Sequence, residues 1–214
     1  MHTSLSEFSA VELSALIKQR MISPLELVRH SIERAHKLQP TLNCFITICS
    51  ERAIKEARLA EQALLKGESL GALHGVPFTV KDIVHTEAVV TSFGAVPLKD
   101  FVPSEDAVAV ARLRGAGAIL IGKTTTPEFG SKCLTGSPLF GKTANPWQLG
   151  RTSGGSSLVP RLRLLLVLPQ LRLRPTGAAQ PGFQPRVMAW SGSSKVLVLS
   201  RIVRRKTCFL IRLT

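Results

Sequence analysis

Acidic residues are missing from the last quarter of the chain. All 14 Asp and Glu lie within residues 1–157, together with 17 Lys and Arg, whereas residues 158–214 hold 11 Lys and Arg and no acid. The formal net charge of +14 therefore comes mostly from the tail, and the body has a net charge of only +3. The basicity of the whole chain thus says nothing about a partner of the body.

Cysteines are few, and long apolar runs are absent. The four cysteines have spacings that match neither a disulfide framework nor a zinc site, which favours free thiols in a reducing compartment. Glu7 and Glu12 interrupt the segment where a signal peptide would need an apolar run. No uncharged apolar run approaches the roughly 20 residues of a spanning helix. These absences predict a cytoplasmic protein with no membrane partner.

The first 66 residues have the pattern of three helices. Ser9 and Glu12 form a capping-box pattern, and Ser23 followed by Pro24 is a strong helix start. We expect the second helix to end before Pro40, because proline removes a backbone donor. A third helix is predicted over residues 51–66, after a short apolar run at residues 44–48.

Strands and helices alternate after residue 75. Apolar runs at residues 76–80 and 118–121 predict two strands, and a helix capped by Ser104 is expected between them over residues 106–114. Strand, helix and strand in this order predict an α/β fold with parallel pairing. Residues 136–157 are rich in Gly, Pro, Ser, Thr and Asn and are expected to be mostly loop.

The tail differs from the body in its amino-acid composition. Residues 158–214 are rich in Leu, Arg and Pro, and the prolines interrupt any long element. We therefore divide the chain into a body of residues 1–157 and a tail of residues 158–214 that is expected to be poorly structured. Such a composition is typical of GC-rich DNA translated in the wrong frame.

Three segments hold residues that can do chemistry. Lys81 ends an apolar strand, where partial desolvation can lower the pKa of a lysine and make it a base. Taken alone, however, a lysine at such a position is more often an ordinary surface lysine. Gly154 and Gly155 precede Ser156 and Ser157, a pattern that brings a hydroxyl close to other groups but also occurs in flexible linkers. The segment of residues 123–130 is, by itself, a polar turn after a strand.

The order of these segments resembles the amidase signature family. Residues 71–82 (GALHGVPFTVKD) are similar to the first catalytic segment of that family. Residues 122–129 (GKTTTPEF), 145–147 (NPW) and 154–157 (GGSS) are similar to its next landmarks, in the same order. The resemblance covers residues 4–157, and it implies the N-terminal part of an α/β domain with a mixed, largely parallel sheet covered by helices.

The resemblance implies an amidase with a Ser–cisSer–Lys triad and no metal or cofactor. Lys81 would be the neutral base, and Ser156 the bridging serine after a cis peptide bond. Ser157, Gly154 and Gly155 would support the hydrogen-bond network. The substrate would be a small carboxamide, cleaved at its C–N bond through an acyl-enzyme intermediate.

The family's nucleophile is not present in this sequence. In the family, a serine about two dozen residues after the bridging serine follows a turn that reads like Asp-Gly-Gly-Gly-Ser-Thr-Arg. Here residues 175–181 read PTGAAQP.

A shifted reading frame accounts for this loss. In that frame, each codon consists of the last base of one present codon and the first two bases of the next. With a suitable choice of synonymous codons, residues 175–184 can then encode Asp-Gly-Gly-Gly-Ser-Thr-Arg-Ile-Pro, and residues 185–195 can continue the family's sequence. At some positions the synonymous codons leave no choice: the shifted codon that spans Met188 and Ala189 can encode only Gly. The sequence thus predicts a frameshift after Ser157 and an inactive chain.

Two other functions stay open. The chain can belong to the A subunit of a glutamyl- or aspartyl-tRNA amidotransferase, which deaminates glutamine, although residues 125–143 look more like a stand-alone amidase. The basic tail can bind nucleic acid, but its basic residues have few aromatic neighbours and match no known module, so no nucleic-acid partner is expected.

Overall fold

The computed structural model describes residues 8–132 and 134–154. The body contains four α-helices within these residues: α1 (Ala10–Lys18), α2 (Pro24–Leu42), α3 (Ser50–Lys66) and α4 (Val108–Gly115). The main strands are β1 (Phe45–Ile48), β2 (Pro77–Lys81) and β3 (Ile119–Thr124), and four short strands follow: β4 (Gly136–Ser137), β5 (Gly141–Lys142), β6 (Ala144–Asn145) and β7 (Gln148–Thr152). Helices and strands thus alternate as predicted.

The helix starts are confirmed in detail. Ser9 Oγ accepts a hydrogen bond from Glu12 N, while Glu12 Oε2 accepts one from Ser9 N, so both donors at the start of α1 are satisfied. Ser23 Oγ accepts from the backbone N–H groups of residues 25 and 26 at the start of α2. Gly67 ends α3 with φ 72°, a left-handed conformation that favours glycine.

Two helix boundaries differ from the prediction. Helix α2 continues through Pro40 to Leu42, because the proline lies in the last turn and removes only one helical hydrogen bond. The Gln39 side chain binds the backbone beyond the helix end, at Phe45 O and Phe45 N, and Leu42 is buried. Ser104 does not cap α4: the helix begins at Val108 after Ala107, with no side-chain cap.

The three main strands form one sheet in the order β1-β3-β2. Strands β2 and β3 are parallel, as predicted, with Val80 opposite Lys123 and Lys81 opposite Thr124. Strand β1 pairs with β3 in the antiparallel direction. The crossover from β2 to β3 contains α4, which accounts for the parallel pairing.

Helices cover both faces of this sheet. On one face, Ile119 and Ile121 pack against α2 and α3. On the other, Phe78, Val80 and Leu120 pack against α4. Both faces of β3 are therefore buried, which explains why its sequence is continuously apolar through Ile121.

The region after β3 was expected to be mostly loop, and that expectation was wrong in part. Strands β4 and β5 form one antiparallel pair, and β6 and β7 form another. Their residues are glycine-rich and polar, so the sequence resembles that of a turn; the pairs are held instead by backbone hydrogen bonds and by threonine side chains. The part of the tail that begins at residue 155 lies outside the described residues.

Candidate active site

Lys81 is the last residue of β2, at the carboxyl end of the parallel pair. Its side chain is half-buried. Strand alternation places Lys81 on the opposite sheet face from Val80, which packs in the core next to α4. The Thr124 hydroxyl, on the neighbouring strand, donates to Val80 O at 2.8 Å and fixes the two strand ends together. The predicted base thus lies at the edge of the sheet where functional side chains of α/β folds collect.

The residue after Lys81 fixes the loop that leaves β2. Asp82 is fully buried, and its Oδ2 accepts hydrogen bonds from Ser92 N at 3.0 Å and from Ser92 Oγ at 2.5 Å. Its backbone carbonyl accepts from Phe93 N, and its N–H donates to Thr124 O. Burial raises the pKa of the Asp82 carboxyl, while the Ser92 hydrogen bonds and Lys123 act in the opposite direction. The loop of residues 82–93 is therefore closed on itself at Asp82.

Lys123 is a second lysine at this end of the sheet, and its side chain is 0% exposed. Its ammonium donates to Val84 O, to Thr86 Oγ1 at 3.0 Å and to Thr91 Oγ1 at 2.9 Å. Burial lowers the pKa of Lys123 to about 8, against the opposing effect of the Asp82 carboxylate. Sequence patterns assigned Lys123 no individual role, because strand β3 was expected to end at residue 121.

Hydrogen bonds lead from the end of β3 to Gly154. Thr125 and Thr143 share a hydrogen bond of 2.8 Å between their hydroxyls. Thr143 O accepts from Ser153 N at 3.1 Å, and Thr143 N donates to Thr135 O. Thr135 in turn donates to Gly154 O from both its N–H and its hydroxyl. The start of the Gly-Gly-Ser-Ser segment is thereby attached to the end of β3, the strand that pairs with β2 at Lys81.

Of the other predicted site residues, Gly155, Ser156 and Ser157 lie outside the described residues, so the convergence of Lys81 with Ser156 stays a prediction. Two histidines that are near Lys81 in the sequence have structural surroundings. His74 is buried and shares a hydrogen bond with Ala60 O, and His85 contacts aromatic rings.

No group of three or more His, Cys, Asp and Glu side chains is arranged to hold a metal ion in the part of the chain that the structure describes. Within the same residues, every helix is too short or too polar to cross a membrane.

Comparisons with known proteins point to one family. The sequence profile of the family described as Amidase matches residues 26–157, more than half of the chain. An acylamidase from Rhodococcus erythropolis is 40% identical over 149 residues, which are 70% of this chain and 31% of that protein. The A subunit of a glutamyl-tRNA(Gln) amidotransferase from Alkaliphilus metalliredigens is 37% identical, over 72% of this chain and 31% of that protein. The chain thus spans about a third of the length of the curated relatives it matches.

Solved structures agree with the sequence comparison. A bacterial aryl acylamidase of the amidase signature family superposes with a TM-score of 0.68 and 29% identity, covering 73% of this chain and 33% of that one. The fold is therefore an incomplete amidase-signature fold. On the profile match, the sequence identities and the fold together, this chain belongs to the amidase signature family.

Proposed function

We propose that this chain is the N-terminal part of an amidase that hydrolyses a small carboxamide, with Lys81 as the base and Ser156 as the bridging serine. One observation carries the proposal: Lys81 ends β2 beside Thr124, and the threonine network that starts at Thr125 reaches Gly154, two residues before Ser156. A separation of two residues spans at most about 7 Å of chain. The described end of this network, Gly154, supports the proposal that Ser156 can reach the carboxyl end of β2, where Lys81 lies.

The proposed chemistry is a proton relay. The neutral amine of Lys81 accepts the proton of the Ser156 hydroxyl, which accepts the proton of a nucleophilic serine as that serine attacks the carbonyl carbon. The C–N bond breaks, the amine leaves with a proton returned along the relay, and water then hydrolyses the acyl-enzyme. Ser157, Gly154 and Gly155 support the hydrogen bonds of the relay. No step needs a metal or a cofactor.

We also propose that the reading frame changes after Ser157 and removes the nucleophile. The profile match ends at residue 157, and the tail rich in Leu, Arg and Pro begins directly after it. Residues 175–184 can encode the family's Gly-rich nucleophile turn in the shifted frame. With its present sequence, the 214-residue chain then lacks both the nucleophile and the backbone N–H groups of its oxyanion hole, and it should be inactive. The expected location in the cytoplasm stays a prediction.

The A subunit of a tRNA-dependent amidotransferase is a second candidate function, because a protein with that name is nearly as similar to this chain as the acylamidase is. Both functions use the same hydrolysis of a carboxamide. They differ in the amide that is cleaved, and a simple aryl or alkyl amide tested beside glutamine separates them. Nucleic-acid binding by the basic tail lies outside the described residues, and no contact in the body favours it.

The role of Lys81 is tested in a frame-restored protein, made by adding or removing the bases that return the codons after Ser157 to the family's frame. Lys81→Ala should lower kcat/KM for a simple amide by at least about 10⁴-fold, the size of loss seen when a triad base is removed. Lys142→Ala, at an exposed lysine of β5, is the matched control and should leave kcat/KM within about twofold. Full activity of the Lys81→Ala variant would show that this lysine is not the base.

A further inference from the structure

Lys123 is the largest fully buried side chain in the described residues, and the proposed proton relay does not use it. Its partner residue on β2 is Val80, one position before Lys81. Alternation along the strands therefore places Lys123 on the sheet face opposite to that of Lys81. The backbones of Lys123 and Lys81 are thus close to each other, whereas their side chains lie on opposite faces of the sheet.

The three acceptors of Lys123 all belong to the loop that follows Lys81. Val84 O, Thr86 Oγ1 and Thr91 Oγ1 use the three donors of one ammonium group. Because the ammonium is desolvated, each of these hydrogen bonds from a charged donor stabilises the fold more than a hydrogen bond between neutral groups does. Lys123 therefore attaches both arms of the 82–93 loop to β3.

Asp82 lies on the same side as Lys123. It follows Val80 by two residues, and its N–H continues the pairing with β3 through Thr124 O, so alternation directs its side chain to the face of Val80 and Lys123. The carboxylate of Asp82 is 0% exposed and directly follows Lys81 in the chain. An uncompensated buried carboxylate at that position would favour the protonated form of Lys81, whereas a base must be neutral.

We propose that Lys123 is a positioning residue for the amidase reaction: it holds the loop after Lys81 against β3 and balances the charge of Asp82, so that Lys81 is fixed in place and can act in its neutral form. This inference rests on the proposed role of Lys81. Lys123 itself contacts no substrate, because its ammonium is enclosed by the loop.

The experiment uses the full 214-residue chain and needs no turnover. Trace acetic anhydride labels Lys81 only in its neutral form, and peptide mass spectrometry gives the labelling rate as a function of pH. At pH values below about 8, where Lys123 is charged, Lys123→Met should move the Lys81 profile to higher pH, because Asp82 is then uncompensated. Asp82→Asn should move it to lower pH. In the same samples, amide hydrogen exchange of residues 82–93 should become at least about tenfold faster in Lys123→Met.

Two further variants distinguish the proposed effects of Lys123 on the loop and on Lys81 from a general loss of stability. Thr91→Val keeps the charge of Lys123 and removes one acceptor, so it should speed exchange in residues 82–93 and leave the Lys81 midpoint unmoved. Val110→Ala destabilises the core on the same sheet face and removes none of the hydrogen-bond acceptors of Lys123, so it should leave the midpoint unmoved as well.

The charge part of the proposal fails if the Lys81 midpoint is unmoved in Asp82→Asn, or if it is unmoved in a Lys123→Met variant that folds. The loop part fails if Thr91→Val leaves exchange in residues 82–93 as in the parent chain, or if Val110→Ala changes that loop as selectively as Thr91→Val does. These outcomes are independent of the activity test, since Lys81 can be labelled even if it is not the catalytic base.

Discussion

At the scale of single residues, a buried ammonium group loses its hydration, and hydrogen bonds must replace it. Lys123 obtains three such bonds from the loop of residues 82–93, and the nearby Asp82 carboxylate opposes the effect of burial on its pKa. The pKa nevertheless falls to about 8. The charged form of Lys123 therefore carries a remaining cost in the folded protein, and this cost has a measurable pH dependence.

The stability of the chain should rise with pH between about 8 and 10.5. In this window the unfolded chain binds more protons at residue 123 than the folded chain does, since the folded pKa is about 8 and the ordinary value is 10.5. The gain in the free energy of unfolding is at most about 3 kcal/mol. Urea unfolding at several pH values measures it.

The control for this prediction removes Cys49, a group whose titration has the opposite effect on stability. Burial raises the pKa of the Cys49 thiol, whose ionisation lowers stability as the pH rises, so the series is measured in a Cys49→Ala background. In that background, Lys123→Met should lose the increase in stability above pH 8. An unchanged pH dependence in Lys123→Met would assign the increase to other groups.

The sequence predicted the position of Lys81 and overlooked Lys123 for a physical reason. A lysine after an apolar strand can be recognised from the strand itself, and the motifs around Lys81 identify it further. The burial of Lys123 depends on Thr86 and Thr91, more than 30 residues away along the chain. No local pattern shows that two threonine hydroxyls and a carbonyl will enclose one ammonium group.

At the scale of helices and strands, the chain leaves no space for a side chain where β1 and β3 meet. A Cβ atom added at Gly122 would lie 2.3 Å from Thr47 O of the neighbouring strand. The backbones of β1 and β3 approach closely there, beside the register shift between Phe45 and Thr47. The position of β1, and of the residues that follow it, thus depends on one glycine of β3.

Gly122→Ala should therefore destabilise the chain by at least about 2 kcal/mol, because one strand must move away from the other. Gly150→Ala is the matched control, since no atom lies within 4 Å of the added Cβ, and its effect should stay within about 0.5 kcal/mol. Urea unfolding followed by circular dichroism gives both values. A Gly122→Ala variant as stable as the Gly150→Ala variant would mean that β1 and β3 adjust without cost.

The boundaries of elements were predicted less well than their types. Helix α2 passes Pro40 because the burial of Leu42 and the hydrogen bonds of Gln39 offset the lost donor. The starting point of α4 shifts because Asp106, expected inside the helix, instead accepts from Glu87 N and pairs with Arg114. Both differences come from side-chain hydrogen bonds, ion pairs and burial, which intrinsic helix propensity does not include.

At the scale of the whole molecule, the described residues form only part of a domain. The chain covers about a third of its structural relatives, and several large apolar side chains after β3 are exposed: Phe129, Leu134, Trp147 and Leu149. Exposed apolar groups in one region favour association. Restoring the frame after Ser157 should supply the rest of the domain, so the repaired protein should also be more soluble than the 214-residue chain.

We propose, above all, that this chain holds the base and the bridging serine of an amidase but has lost its nucleophile to a change of frame. The most direct test compares the purified 214-residue chain with the frame-restored protein in the hydrolysis of a simple aryl or alkyl amide. We expect no rate above background from the 214-residue chain, because the nucleophile and the oxyanion hole are both missing, and clear turnover from the restored protein, which Lys81→Ala abolishes. Robust hydrolysis by the 214-residue chain, or none by a soluble restored protein, would contradict this proposal.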